Sequence, residues 1–511
     1  MRRLLEALPI SLLHPLLHAQ THKALHGSPQ DYLRFKKFFL SLEPETVEAL
    51  REKYLLYTFQ RNLAEVPHYR CFLRQKGINP ARLKSRVKSQ IDFISTVPET
   101  TKKKYIFAAK QLQDLCVQDG QHRMNMIVKS SGHSGRQCYW AKSHREDLFG
   151  RAALTMALDE NFNISSKRTL IINGFILGTW VTGITFNEFA SALCTIINVG
   201  PYWEEILQIL PEIGGQFDQV IITGYPPFIK ELVEYGARQR FPWKRYTLHF
   251  VAGGEDFPES WRRYVQQKSG AQKIRAGFGA SDIGILGGVE TDDTVFIRQL
   301  ADSQPEVRKA LFGEVEETPM LFQYGLNVFV QANKNKELVF TTILPEAVEP
   351  VINYNLEDVG GVISCREMQE KLRPFHSQRQ FRLPLPFLYV VGRVDGPVKF
   401  HAFFVYPENV EECIYRQPGM AKTTTGNFRL QRIVNKNHDH FLQLEFQLKK
   451  GVEKTVALTR KYVQWCSQIL QEVNGGYKAI HQQVGAIADP IVILYPYEKY
   501  PYQSRIKNVY S

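Results

Sequence analysis

Lys129-Ser130-Ser131-Gly132-His133-Ser134-Gly135-Arg136 places small hydroxylated residues and two glycines between cations. A loop that wraps phosphate oxygens has this composition: glycine lets backbone N–H groups close on an anion, serine hydroxyls donate to the same oxygens, and Arg136 adds a charge-assisted contact. It is not a Walker-type loop, which would read Gly-x-x-x-x-Gly-Lys-Ser/Thr and run straight into a helix. A flexible surface turn has the same composition. The chain on either side decides what kind of fold carries the loop. Downstream, strand-like apolar runs alternate with helical patterns: Thr169-Leu170-Ile171-Ile172, Gln219-Val220-Ile221-Ile222, Thr247-Leu248-His249-Phe250-Val251-Ala252 and Leu338-Val339-Phe340. This alternation predicts an α/β architecture with largely buried sheets. Upstream, Val47, Leu50, Tyr54 and Tyr57 recur at helical spacing between Pro44 and Phe59, opening an α-rich entry segment over about 1–120.

Composition narrows the classes. The 511 residues are 44% hydrophobic and 23% charged, ordinary for a globular chain with more than one core. Sixty-four Lys+Arg against 51 Asp+Glu give a net charge of +13, which favours anionic partners. The excess is spread out, densest at Lys102-Lys103-Lys104, and reads as a solvated basic face. No zinc-finger, helix-turn-helix or RNP-like pattern occurs, so nucleic acid is not expected. The seven cysteines are scattered and odd in number, without metal-ligand spacing, which points to free thiols in a reducing cytoplasm and to no structural zinc. The leucine-rich N-terminus is interrupted by Glu6, Pro9, His14 and Pro15; it reads as an amphipathic segment lying on the protein rather than a signal peptide, and membrane contact is not expected. Leu170 to Val199, the most apolar window, holds Asn173, Asn187 and Glu188 and reads as buried strands and a helix.

Four further strings follow in order: Gly279-Ala280-Ser281-Asp282, Tyr354-Asn355-Leu356-Glu357-Asp358-Val359-Gly360, Gly392-Arg393-Val394-Asp395 and Val405-Tyr406-Pro407-Glu408-Asn409-Val410-Glu411. In this order the chain resembles the adenylate-forming (ANL) superfamily, and within it the phenylacetate-CoA ligase and capsular-biosynthesis-type branch. The resemblance begins at Phe59-Gln60-Arg61-Asn62-Leu63 and Val97-Pro98-Glu99-Thr100-Thr101-Lys102 and ends at Lys507. It implies a large N-terminal α/β adenylate-forming domain, 1–394, and a small α+β C-terminal lid domain, 395–511, turning about Asp395.

The same resemblance implies the site. Ser130, Ser131, Gly132, His133, Ser134, Gly135 and Arg136 would hold the β- and γ-phosphates of ATP, with His133 where relatives carry Thr. Gly253, Gly254 and Glu255 would border the adenine. In Phe278-Gly279-Ala280-Ser281-Asp282, Gly279 would let the backbone pass close to the nucleotide, Ser281 would donate to the α-phosphate, and Asp282, where Glu is usual, would hold Mg²⁺. Asp358 would accept from both ribose hydroxyls, preceded by Glu357 where relatives often have Gly, and Arg393 would reach the ribose or phosphate. Lys507 would bridge the carboxylate and the α-phosphate. Gly284 to Gln331 lacks the cysteine cluster of some relatives, so no metal besides magnesium is expected.

These roles imply activation of a small carboxylic acid with ATP and Mg²⁺, then acyl transfer to CoA. The pair His401-Ala402, where relatives show an aromatic or Arg and then Gly, could narrow the pantetheine passage, and so keeps an amine or carrier-protein thiol open as acceptor. A non-catalytic nucleotide- or acyl-binding relative is the alternative of another class, and a homodimer also stays open. Asn173, Phe175, Leu177, Trp180 and Thr182 suit either an aromatic-lined acyl pocket or a plain apolar core.

Overall fold

One large sheet changes character along its width. Its strands are β1 (Thr100–Thr101), β2 (Thr169–Asn173), β3 (Thr195–Asn198), β4 (Gln219–Gly224), β5 (Leu248–Gly253), β6 (Lys273–Ala280), β7 (Gly284–Val289), β8 (Met320–Gln323), β9 (Val328–Ala332), β10 (Glu337–Thr342), β11 (Tyr354–Ile363) and β12 (Phe387–Arg393). The order is β9-β10-β11-β12-β8-β7-β6-β5-β4-β2-β3, with β1 beside β11. From β3 to β6 neighbours are parallel, and from β6 to β9 they are antiparallel. In β2, β4 and β5 every residue is buried, as parallel strands covered on both faces require, and these are three of the continuous apolar runs read above. The computed structural model describes all residues except 1–4, 6, 130–137, 179–180, 316, 376–378, 394–397, 401–402, 435–439, 502–508 and 511.

The entry segment is helical as expected. Its main helix runs further than the periodicity suggested, Pro44–Glu65, with Val47, Leu50 and Tyr54 buried and Tyr57 37% exposed. The N-terminal segment forms a helix, Ile10–His26, that lies on the protein through Leu13, His14 and Ala24. His14 stacks on Phe149 with ring centroids 5.3 Å apart, and its Nδ1 lies 2.9 Å from the Tyr54 hydroxyl. Among the described residues no helix is long and apolar enough to cross a membrane.

A smaller C-terminal domain has its own sheet and core. Strands β13 (Thr424–Val434), β14 (His440–Leu448), β15 (Ile491–Tyr495) and β16 (Val509–Tyr510) lie in the order β15-β14-β13-β16. Leu442, Leu444, Phe446 and Leu448 point into one face, fully buried, and the helix Val456–Val473 covers them through Tyr462, Cys466 and Leu470. The last strand of the large sheet ends at Arg393, and the second core begins at Val398. The expected hinge, Asp395, lies outside the described residues.

One buried titratable group makes the fold pH-sensitive. His249 on β5 is 3% exposed, packs on Phe162 at 5.1 Å, and among the described residues has no hydrogen-bond partner on either ring nitrogen. Burial, with Lys167, Lys273 and Arg275 nearby, lowers its pKa to about 4 from the ordinary 6.5. The unfolded chain therefore takes up the proton first, so the stabilisation is complete above pH 6.5 and is lost as pH falls toward 4. Urea melts of His249→Leu and the parent chain between pH 7 and 4.5 should show a shallower loss of stability in the variant; equal slopes would exclude this contribution.

Candidate active site

Strands β2, β4, β5 and β6 end side by side at Asn173, Gly224, Gly253 and Ala280, and the carboxyl ends of parallel strands are where open α/β sheets hold ligands. Glycines leave room there. Gly253 and Gly277 are register partners; a methyl at Gly277 would meet nothing within 4 Å, and one at Gly253 would reach van der Waals contact with the Phe175 ring at 3.4 Å. Gly254 turns the chain away with φ +87, and Gly279 is exposed. Phe278 faces the core, its ring 5.7 Å from Phe322 and 6.1 Å from Phe340.

The turn after β6 ties distant strings together. Ser281 Oγ donates to the carbonyl of Lys129 at 3.2 Å, anchoring the end of the hairpin strand Met126–Lys129, from which the Ser/Gly loop departs. Asp282 is 6% exposed; its Oδ2 accepts from the Tyr354 hydroxyl at 2.5 Å and lies 3.5 Å from Lys102 Nζ. Burial beside this carboxylate raises the Tyr354 pKa well above its ordinary value, so the phenol stays a donor. A hydroxyl and an ammonium thus both meet Asp282 at Oδ2, which fixes the turn behind Ser281. Beneath it, burial raises Glu349 to about 8, with Glu146 and Asp282 adding like charge.

Across the sheet, Asp358 on β11 is the register partner of Arg393 on β12, so two residues far apart in sequence stand at one position. The backbone just before Asp358 is unusual: Glu357 takes φ +66, and its N–H donates to Asn355 Oδ1 at 2.7 Å. A left-handed turn is thus made here with Glu, at the position where the resemblance implied Gly. Such a conformation costs an L-residue about 1–2 kcal/mol. Glu357→Gly should therefore leave stability within about 1 kcal/mol of the parent, because relieved strain offsets added chain entropy. Glu357→Val should lower it by about 1–2 kcal/mol, since branching at Cβ is worst tolerated there. Equal urea midpoints for the two variants would contradict this.

The small domain packs beside the end of β12 and on the helices Pro226–Arg238 and Glu259–Ser269. A methyl at Gly392 would sit 3.3 Å from Glu408 Oε1, on the helix Pro407–Arg416. Ser260 Oγ donates to Glu412 at 3.0 Å, Lys230 Nζ donates to the Thr424 carbonyl at 2.6 Å, and Lys449 pairs with Glu234 at 2.7 Å. Burial and the charges of Glu408, Glu255 and Asp256 raise the Glu411 pKa, which puts Glu255 at the domain boundary.

Among solved structures, the chain is similar to 2-hydroxyisobutyryl-CoA ligase in its postadenylation state with R3-HIB-AMP, at TM-score 0.64 and 14% identity over 88% of this chain and 86% of that one. The chain has the adenylate-forming fold. The same ligase in an open conformation with 2-HIB-AMP and CoA gives TM-score 0.54 and 13% identity over 92% of each chain. No family model matches the chain, and no curated protein matches it.

Within this adenylate-forming fold, Gly253, Gly254, Gly279, Ala280, Ser281 and Asp282 gather at the strand ends, while Asp358 and Arg393 pair across β11 and β12. Ser130 to Arg136, Trp180, His401, Ala402 and Lys507 lie outside the described residues. Asn173 is withdrawn from any ligand: its Nδ2 donates to Gly183 O at 2.9 Å and Asn198 Oδ1 at 2.8 Å, and its Oδ1 accepts from Thr223 at 3.1 Å. Phe175 stacks edge-on with Phe186 and Tyr225, both at 5.6 Å, and borders Gly253. Sequence reasoning gave no role to Tyr354 or Lys102, although each stands in a string already quoted. The signal was a tyrosine heading a strand, since a buried phenol needs a partner.

Proposed function

We propose that this chain is an ATP-dependent ligase of the phenylacetate-CoA ligase kind, which activates an organic carboxylate as its acyl-adenylate and passes the acyl group to CoA. The observation that carries the reading is the hydrogen bond from Ser281 to Lys129, which sets the end of the strand Met126–Lys129, where the phosphate-type sequence begins, against the glycine-rich strand ends. In the first step a carboxylate oxygen attacks the α-phosphorus and pyrophosphate leaves. In the second the thiol attacks the acyl carbon and AMP leaves, the thiol proton passing to solvent. Ser130–Arg136 hold the β- and γ-phosphates, Ser281 turns its hydroxyl from Lys129 to the α-phosphate, and Gly253–Glu255 border the base. Asp358 grips the ribose with Arg393 beside it, and Lys507 bridges the two anions in the first step. Residues 1–394 bind the nucleotide; residues 395–511 form the lid.

Asp358→Ala should weaken ATP binding by about 2 kcal/mol or more, since two charge-assisted hydrogen bonds disappear together. Discrimination against 2′-deoxy-ATP should shrink in parallel; a variant that still rejects the deoxynucleotide as the parent does would move the ribose elsewhere. The reading as a whole is tested by screening carboxylic acids for ATP–pyrophosphate exchange and then measuring AMP release with CoA, an amine or a carrier-protein thiol. Carboxylate-dependent exchange followed by CoA-accelerated release supports it. Release accelerated only by an amine or carrier thiol replaces the acceptor, and absence of exchange with every acid removes the enzyme reading.

A further inference from the structure

The geometry points to a binding site for one zinc-class divalent metal ion formed by His144, Asp147 and Glu188, joining the helix His144–Phe162 to the helix Val181–Ala190. His144 and Asp147 are three residues apart on the first turn of their helix and so share a face. Glu188 approaches from the second helix, and one ligand atom from each of the three lies within 4.8 Å of the others. Ligands about 2.0–2.2 Å from a zinc ion stand up to about 4 Å apart, so a small rotation of side chains closes the set. The His144 side chain is 66% exposed, free to make that rotation and leaving solvent access to the site.

Asp147 supplies the independent sign of a missing cation. It is 6% exposed, yet among the described residues its carboxylate accepts no hydrogen bond and has no ion pair. A buried carboxylate without a partner is costly. Two cations stand nearby: Arg151 Nη2 donates to Glu188 Oε1 at 3.1 Å, within the set itself, and Lys142 Nζ lies 3.9 Å from Glu146 Oε1. Glu146 and Glu188 add like charge beside Asp147. The imidazole selects for zinc, manganese, cobalt or nickel over magnesium or calcium, which prefer all-oxygen shells. The positive end of the first helix opposes a cation, but two carboxylates outweigh that partial charge. Glu188 Oε1, which Arg151 holds, is also the oxygen 3.7 Å from His144 Nδ1, so the ion would share it with the guanidinium or take the second oxygen after a carboxylate rotation. The first helix follows the hairpin that carries the phosphate-type loop, so an ion here would stiffen the base of that loop.

The test uses the full chain, stripped with a chelator and titrated with Zn²⁺ by calorimetry, with Co²⁺ absorption as a second readout. The exposed pair His22 and His26, with ring centroids 4.6 Å apart, is another zinc-prone spot. All measurements are therefore made in His26→Ala. One equivalent should bind, with a dissociation constant raised about 100-fold or more by Asp147→Asn and likewise by Glu188→Gln. The second substitution lies on the other helix and guards against a folding defect in the first. No stoichiometric binding, or binding that both substitutions leave unchanged, overturns the site.

Discussion

Lys507→Ala is expected to slow acyl-adenylate formation by about 10²-fold or more while ATP still binds. Adenylation brings two anions together, and charge grows on the oxygens between the α-phosphorus and the departing pyrophosphate. Removing one fixed electrostatic stabiliser of such a transition state costs about 10²–10³ in rate. The lysine belongs to the proposed adenylation pose alone, so the loss should fall on the first step. Thioester formation from preformed acyl-adenylate should survive, as should nucleotide affinity. Single-turnover measurement of the two steps separates them; unchanged pyrophosphate exchange in the variant removes Lys507 from the chemistry.

Glu290→Ala should cost about 3–5 kcal/mol of stability, the scale of breaking a buried ion pair from one side. Glu290 is fully buried behind β6, in a quartet with Glu259, Arg262 and Arg298. Its Oε1 accepts from Arg262 Nη2 at 2.7 Å, its Oε2 from the Ala276 N–H at 2.8 Å, and Arg298 Nη1 bonds Glu259 at 2.7 Å. Without Glu290 two guanidiniums share one carboxylate in the interior. Because Ala276 lies on β6, the strand leading to Ser281 should loosen as well. Urea unfolding measures the first effect and nucleotide affinity the second. A loss below about 1 kcal/mol would mean that the arginines find other partners.

The parallel half of the sheet was legible because strands buried on both faces are unbroken apolar runs, as in Leu170-Ile171-Ile172 and Val220-Ile221-Ile222. The antiparallel half was harder to read. Strand β11 carries Asn355, Glu357, Gly360 and Gly361, poor strand formers placed where the neighbouring chain comes close: a methyl at Gly360 would fall 2.1 Å from the Tyr389 carbonyl oxygen. Its extended state comes from its partners. The pairing of Asp358 with Arg393 follows from that register, and local pattern carries no trace of it. The hold of Tyr354 on Asp282 joins residues 72 positions apart, and the quartet around Glu290 joins charges from three separate elements. Each charge, read alone, suits a solvated surface. The expectation for Ser130–Arg136 rests on composition and resemblance, that for Lys507 on resemblance.

The central claim, that a carboxylate is joined to the α-phosphate, is tested most directly by isotope transfer. With a competent acid labelled with ¹⁸O in its carboxyl group, attack on the α-phosphorus followed by cleavage at the acyl carbon leaves one carboxyl oxygen in the released AMP. The account predicts AMP carrying a single ¹⁸O by mass spectrometry, with unlabelled pyrophosphate. Label appearing in inorganic phosphate with ADP as co-product, or unlabelled AMP alongside labelled pyrophosphate, would contradict it.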